Sequence, residues 1–299
     1  MSQSNDAIPE EISAIPEHYK TPARRAGQLV RLDYDTWESR SYGSHTKKLR
    51  KSACVYLPYG YTDSARYNVF YLMHGGWGNE TTEMGPPEHP GELKHALDHA
   101  IEDGLMAPLI VVLPTYNNES RSDSGDYHLA LILTANYHNE LVNDLMPAVE
   151  GRWRTYADGT APEDFRASRD HRGFGGFSMG SVATWRVFEH CLDYFRYFMP
   201  MSGNLTSDDG YMEAVVRNSG HSKEDFFLYT MSGSGDFACS AFKAQIRAMA
   251  RTGSFELGNS EREGNMAYRE KPDYVHDAVA DHEYAYNGLL WFWNHTIYR

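Results

Sequence analysis

Cysteine is nearly absent from this chain of 299 residues, which has only Cys54, Cys191 and Cys239. Three widely separated cysteines cannot form a disulfide framework or the paired spacing of a zinc knuckle, so they read as small buried hydrophobes. Positive charge is also short. Lys and Arg number 28 against 41 Asp and Glu, which leaves a net charge of -13. A nucleic-acid groove or a face for an anionic membrane needs the opposite balance, so neither partner is expected. Long apolar runs are missing as well. The longest, Leu109–Leu113 and Leu129–Leu133, fall far below the length that spans a bilayer. Met1–Lys20 is polar and acidic, contains Pro9 and Pro16, and lacks the basic start and apolar stretch of a secretory signal. It reads as a flexible leader over residues 1–20. As it stands it points to a cytoplasmic protein, or to a secreted one if a signal has been removed.

What is present is globular: 41% hydrophobic and 23% charged residues, with 25 Gly and 13 Pro. Beyond the leader, short apolar runs alternate with helical spacing. Ser52–Leu57 and Val69–Met73 read as strands separated by the turn-rich Pro58–Tyr67. Leu93, Ala96, Leu97, Ala100 and Ile101 mark one helix face, closed by Gly104. Leu109–Leu113 is apolar without alternation, as in a parallel strand covered on both faces. A helix follows through Tyr137, Leu141, Val142, Leu145 and Val149. The cycle continues with strand Gly173–Phe177, helix Met179–His190, strand Phe195–Met201, helix Tyr211–Asn218, strand Phe226–Ser232 and helix Ser240–Arg251. A weaker strand near Met266–Arg269 and a helix from Ala278 close the pattern. No linker or repeat interrupts it. The expectation is one α/β domain over residues 21–299, with a mostly parallel central sheet and helices on both faces. The polar stretches Gly78–Pro90 and Asn117–Ser124 follow strands, where open sheets bind ligands. Trp37–Lys48 reads as an extended, polar hairpin tip.

The chemical centre is Gly176-Phe177-Ser178-Met179-Gly180. This G-x-S-x-G places a serine on a sharp strand-to-helix turn, with glycines where the chain doubles back. An apolar strand before it and a helical pattern after it supply the required context. A second element, His74-Gly75-Gly76-Trp77-Gly78, leaves the strand Val69–Met73. Backbone N–H groups of Gly76 or Trp77, with that of Met179, are candidate oxyanion donors. His74 reads as a brace for that loop rather than a metal ligand. Asp236 follows strand Phe226–Ser232 in Gly233-Ser234-Gly235-Asp236 and is the candidate acid. Asp193 precedes a strand, and Asp208 and Asp209 read as a solvated turn.

The runs YLPYGY (Tyr56–Tyr61), FYLMHGG (Phe70–Gly76), APLIVVLPTYN (Ala107–Asn117), ASRDHRGFGGFSMG (Ala167–Gly180) and YFMPMSG (Tyr197–Gly203) resemble the feruloyl esterase domains of clostridial xylanases, in carbohydrate esterase family one. The likeness extends from about Thr21 to the C-terminus. It implies an α/β-hydrolase fold, a Ser-Asp-His triad, and hydrolysis of hydroxycinnamoyl esters of plant cell-wall sugars. Three departures stand out. Trp77 occupies the place of a third glycine in the oxyanion loop, and Ser181 that of a glycine after the Ser-Met-Gly turn. An aromatic found after the Ser-Gly of YFMPMSG in relatives is replaced by Asn204, Leu205 and Thr206.

The histidine has two candidates. Pro272 and Asp273 break the chain after the last strand, which puts His276 on a short loop at the sheet edge. His282 lies within the helical run Ala278–Trp293, although Asp281-His282 looks like a catalytic pair. The resemblance also favours His276. The expected mechanism is acyl transfer through Ser178, His276 and Asp236, with no metal and no organic cofactor. Trp77, Tyr116, Asn117 and Asn204 are the expected substrate contacts. Tyr127 and Trp185 are further aromatic candidates for the acyl pocket, and Trp185 reads as core. Rival readings are a short-acyl, S-formylglutathione or siderophore esterase, and a non-catalytic carbohydrate-binding relative.

Overall fold

A computed structural model describes residues 7–294. In chain order its strands and helices are β1 (Gln28–Trp37), β2 (Lys48–Leu57), β3 (Asn68–Met73), α1 (Glu92–Glu102), β4 (Leu109–Leu113), α2 (Tyr127–Glu140), α3 (Met146–Glu150) and α4 (Pro162–Ala167). These are followed by β5 (Arg172–Phe177), α5 (Met179–Cys191), β6 (Tyr197–Met201), α6 (Tyr211–Ser219), β7 (Phe227–Gly233), α7 (Cys239–Met249), β8 (Met266–Lys271) and α8 (Ala278–Trp291). The strands form one sheet in the order β1-β2-β4-β3-β5-β6-β7-β8. Only β2 runs against its neighbours; from β4 to β8 every pairing is parallel. This is the α/β-hydrolase fold.

Apolar side chains of the central strands alternate between two buried layers. Val69, Tyr71, Met73, Ile110 and Val112 enter one, packed with Leu133 and Tyr137 of α2 and Trp185 and Phe188 of α5. Phe70, Leu72, Leu109, Val111 and Leu113 enter the other, packed with Leu93 and Leu97 of α1 and Tyr284 and Leu289 of α8. A strand covered on both faces has no polar side, which is why these runs read as continuous apolar stretches. All three cysteines are buried and unbridged.

Two expectations need correction. Residues 7–20 are no flexible leader: Ile8, Ile12, Ile15 and Tyr19 are buried in the α1/α8 layer, and the Arg269 guanidinium donates to the Ile8 and Pro9 carbonyls. Pro9 and Pro16 interrupt the helical spacing of those four residues, so their shared face is hidden in the sequence. Met1–Asp6, the rest of the expected leader, lie outside the described residues. The longest strand pairing also has no counterpart in the apolar pattern of the sequence. β1 pairs with β2 along its whole length, Gln28 opposite Leu57 and Trp37 opposite Lys48. As an edge strand it alternates buried and exposed residues and carries Arg31, Asp33 and Asp35, so it lacks an apolar run. The stretch between Trp37 and Lys48 does join the two strands, through a 3₁₀ segment, Ser39–Ser44. The Glu38 carboxylate there accepts the Arg40 and Ser41 amides and the Asn118 side-chain amide. Burial alone would raise this carboxyl, but those hydrogen bonds hold it at about 2.

Candidate active site

The loops after β3, β5, β6, β7 and β8 converge at one edge of the sheet. Ser178 sits between β5 and α5 with φ 59° and ψ -117°, a conformation that L-residues avoid. The turn closes because a Cβ on Gly176 would lie 2.5 Å from the Met73 carbonyl oxygen, and one on Gly180 only 2.4 Å from the same atom. Both positions therefore demand glycine.

Three side chains from distant parts of the chain meet here. The Ser178 hydroxyl donates to His276 Nε2 at 2.7 Å. His276 Nδ1–H donates to both oxygens of Asp236, each at 2.9 Å. Burial pushes the Asp236 carboxyl upward, but the hydrogen bonds from His276, the Ala238 amide and Ser202 outweigh it and leave the group below its ordinary value. It is thus the ionised partner at neutral pH. The loops carrying the acid and the imidazole are stitched together: the Ser234 and Gly235 amides donate to the Lys271 and Tyr274 carbonyls, at 3.0 Å each. The arrangement can take a proton from Oγ and hold the resulting imidazolium against a carboxylate.

The loop after β3 is held from behind. His74 is buried, and burial lowers its pKa to about 4, so it is neutral. Its Nδ1–H donates to the Gly75 carbonyl, and its Nε2 accepts from the Thr115 hydroxyl, both at 2.7 Å. The Tyr116 hydroxyl donates to the same Gly75 carbonyl at 3.1 Å. A trans peptide directs its N–H opposite its C=O. Fixing the Gly75 carbonyl inward therefore directs the Gly76 N–H outward, where Gly76 lines the cavity beside Ser178 and Met179. Among the described residues, neither the Gly76 nor the Met179 amide has a protein acceptor. The Trp77 amide does: it donates to the Ser124 carbonyl at 3.0 Å. Trp77 is thereby corrected from an oxyanion donor to a side chain at the cavity mouth. Its φ of 59° lies in the left-handed region that favours glycine.

The cavity measures about 280 Å³ and is bounded by Trp77, Tyr127, Val182, Asn204, Phe237 and His276, with Ser178 at its floor. Of the expected substrate contacts, Trp77 and Asn204 line it. Tyr116 and Asn117 do not. Tyr116 is buried behind the Gly75–Gly76 peptide, and the Asn117 side-chain amide donates to the Gly78 and Arg121 carbonyls. Both brace the loop because the chain turns inward after β4. Tyr127 lines the cavity, and Trp185 is core, its indole N–H donating to the Gly203 carbonyl at 2.9 Å. Phe237 escaped the sequence reading; its place directly after Asp236 was the available signal. Phe177, the x before Ser178, covers one side of the His276 ring at 4.5 Å.

His282 lies on α8, away from this constellation, and burial lowers its pKa. Its neighbour Asp281 serves a different contact. Asp281 and Glu83 are both buried and face each other, and among the described residues no cation meets either carboxyl. Burial foremost, then the neighbouring carboxyl, raises Glu83 well above its usual range, and burial pushes Asp281 up to about 7. The folded pair keeps a proton that the unfolded chain releases near pH 4. Its contribution to stability is therefore complete below about pH 4 and is lost as pH rises through about 7. In thermal melts the midpoint is expected to fall between about pH 6 and about pH 9, and to fall less in Glu83→Gln. Equal falls in both proteins would remove the pair from the account.

A family model described as "Putative esterase" matches residues 44–297. Endo-1,4-beta-xylanase Y of Acetivibrio thermocellus is 37% identical over 286 residues, 93% of this chain and 24% of that protein. The chain thus spans about a quarter of the length of the curated relatives it matches. A variant of the feruloyl esterase module from Clostridium thermocellum, solved with sinapinate, is 34% identical with a TM-score of 0.82, covering 98% of this chain and 96% of that one. A ferulic acid esterase of Anaeromyces mucronatus in complex with ferulic acid shares the fold at 15% identity and a TM-score of 0.64, over 95% and 97% of the two chains.

Proposed function

We propose that this chain, which belongs to the esterase family, is a carboxylic ester hydrolase that cleaves feruloyl and related hydroxycinnamoyl esters of plant cell-wall sugars through an acyl-Ser178 intermediate. Ser178 Oγ attacks the ester carbonyl carbon as His276 Nε2 takes its proton, and Asp236 steadies the imidazolium through Nδ1–H. The Gly76 and Met179 amides receive the tetrahedral oxyanion, a contribution of about 3 kcal/mol per donor in comparable sites. His276 then protonates the alcohol oxygen as its bond to the acyl carbon breaks. Water, deprotonated by the same imidazole, attacks the acyl-enzyme and releases the acid. Asn204, Trp77 and Tyr127 bound the space left for substrate.

The observation that carries this reading is the relay opening directly into a cavity walled largely by aromatic and aliphatic side chains, as a planar aromatic acyl group requires. The likeness over nearly the whole chain to a module solved with sinapinate supports the same substrate class. A panel of methyl ferulate, naphthyl acetate and S-formylglutathione provides the test. Methyl ferulate is expected to give the highest kcat/KM. A preference for either of the other two would replace the hydroxycinnamoyl reading with that of a short-acyl or thioester hydrolase on the same fold.

A further inference from the structure

Large apolar side chains left in water add little to folding stability, so where they gather is informative. Among the described residues the three most exposed are Trp77 at 83%, Phe237 at 81% and Tyr127 at 63%, and all three line the Ser178 cavity. They come from different loops around it. Trp77 follows the oxyanion loop, and Tyr127 begins the helix after the Asn117–Ser124 segment. Phe237 stands on the imidazole side, its ring centroid 4.3 Å from that of His276 at an interplanar angle of 41°.

The backbone on both sides of Phe237 is fixed by hydrogen bonds. The Asp236 amide donates to the Gly233 carbonyl at 3.1 Å, the Ala238 amide to Asp236 Oδ1 at 2.7 Å, and the Cys239 amide to the Asp236 carbonyl at 3.0 Å. This turn leaves residue 237 no inward course. The side chain therefore lies against the imidazole, which Phe177 also contacts.

Reaction geometry decides which half of an ester meets that ring. The carbonyl oxygen must lie toward the Gly76 and Met179 amides, and the departing alcohol oxygen within reach of His276 Nε2. The alcohol half thus leaves past the imidazole, beneath Phe237. From this geometry we infer that Phe237 forms the alcohol subsite, its exposed face receiving the C–H face of a sugar ring esterified to the acyl group. The inference rests on the reading of Ser178 and His276 as nucleophile and base. It assigns Phe237 to recognition of the leaving group, separate from whatever the acyl pocket selects.

The test compares esters that share an acyl group and differ in the alcohol: methyl ferulate against a feruloylated arabinoside, and an acetyl pair, methyl acetate against an acetylated arabinoside. In Phe237→Ala the ratio of kcat/KM for the sugar ester to that for the methyl ester is expected to fall about tenfold, mainly through KM. Phe237→Tyr should restore it, since the aromatic face is kept. A ratio unchanged within about twofold overturns the proposal, as does an equal loss on both esters with a displaced pH profile, which would mean that Phe237 merely steadies His276. If the wild-type protein leaves both feruloyl esters intact, the substrate reading fails. The acetyl pair then still decides the role of Phe237.

Discussion

Replacing Ser178 by alanine is expected to lower turnover of any ester substrate by about 10⁴-fold or more, with the fold retained. The loss is large because every covalent step passes through Oγ; without it, only the oxyanion amides and binding remain to act on a bound water. The fold should survive because the hydroxyl has a single hydrogen-bond partner, His276, and alanine meets the same backbone cost at φ 59° as serine does. Steady-state kinetics on an activated ester, with circular dichroism and a thermal melt of the same preparation, checks both halves. Near-normal turnover in a folded variant would refute the nucleophile.

His276→Ala should cost about as much as Ser178→Ala, whereas His282→Ala should be mild. Residues acting as one relay lose most of their effect when any essential member goes, so the two large losses should not multiply in the double variant. His276 bridges Ser178 and Asp236 with contacts of 2.7 and 2.9 Å. His282 sits half-buried on α8, beside an Asp281 already facing Glu83. The decisive measurement is kcat/KM for both single variants at matched folded content. The reverse ranking would move the base to α8.

Much of the architecture was legible because burial on both faces writes itself into a strand as a plain apolar run. Leu109–Leu113 is read and observed with the same limits, and helix Met179–His190 differs from α5 by one residue. The elements that escaped obey other rules. β1 is an edge strand whose outward residues are charged, so its pairing with β2 supplies the order that its composition hides. Residues 7–20 carry only four buried apolar side chains on a polar background, and the sheet face that receives them is built by strands far along the chain.

At the site, the local chemistry follows from residues close together in the chain. A serine between two glycines on a strand-to-helix turn, an aspartate after a later strand, and a histidine released by Pro272-Asp273 are all set by short-range constraints on the backbone. Which groups face the reacting atoms was decided only by tertiary structure. Tyr116 and Asn117 follow a strand, as substrate contacts should, yet the turn after β4 buries both against the Gly75–Gly78 loop, where they brace the peptide carrying the Gly76 N–H. The Trp77 amide is occupied by Ser124, nearly fifty residues away in sequence, and its indole is left at the cavity mouth. Phe237 carries no signal of its own beyond following Asp236, and becomes significant only where β7 and β8 bring its ring over His276. The physical reason is that backbone preference acts over a few residues, while the direction of a peptide N–H or an aromatic face is fixed by whichever partner the folded chain delivers to it.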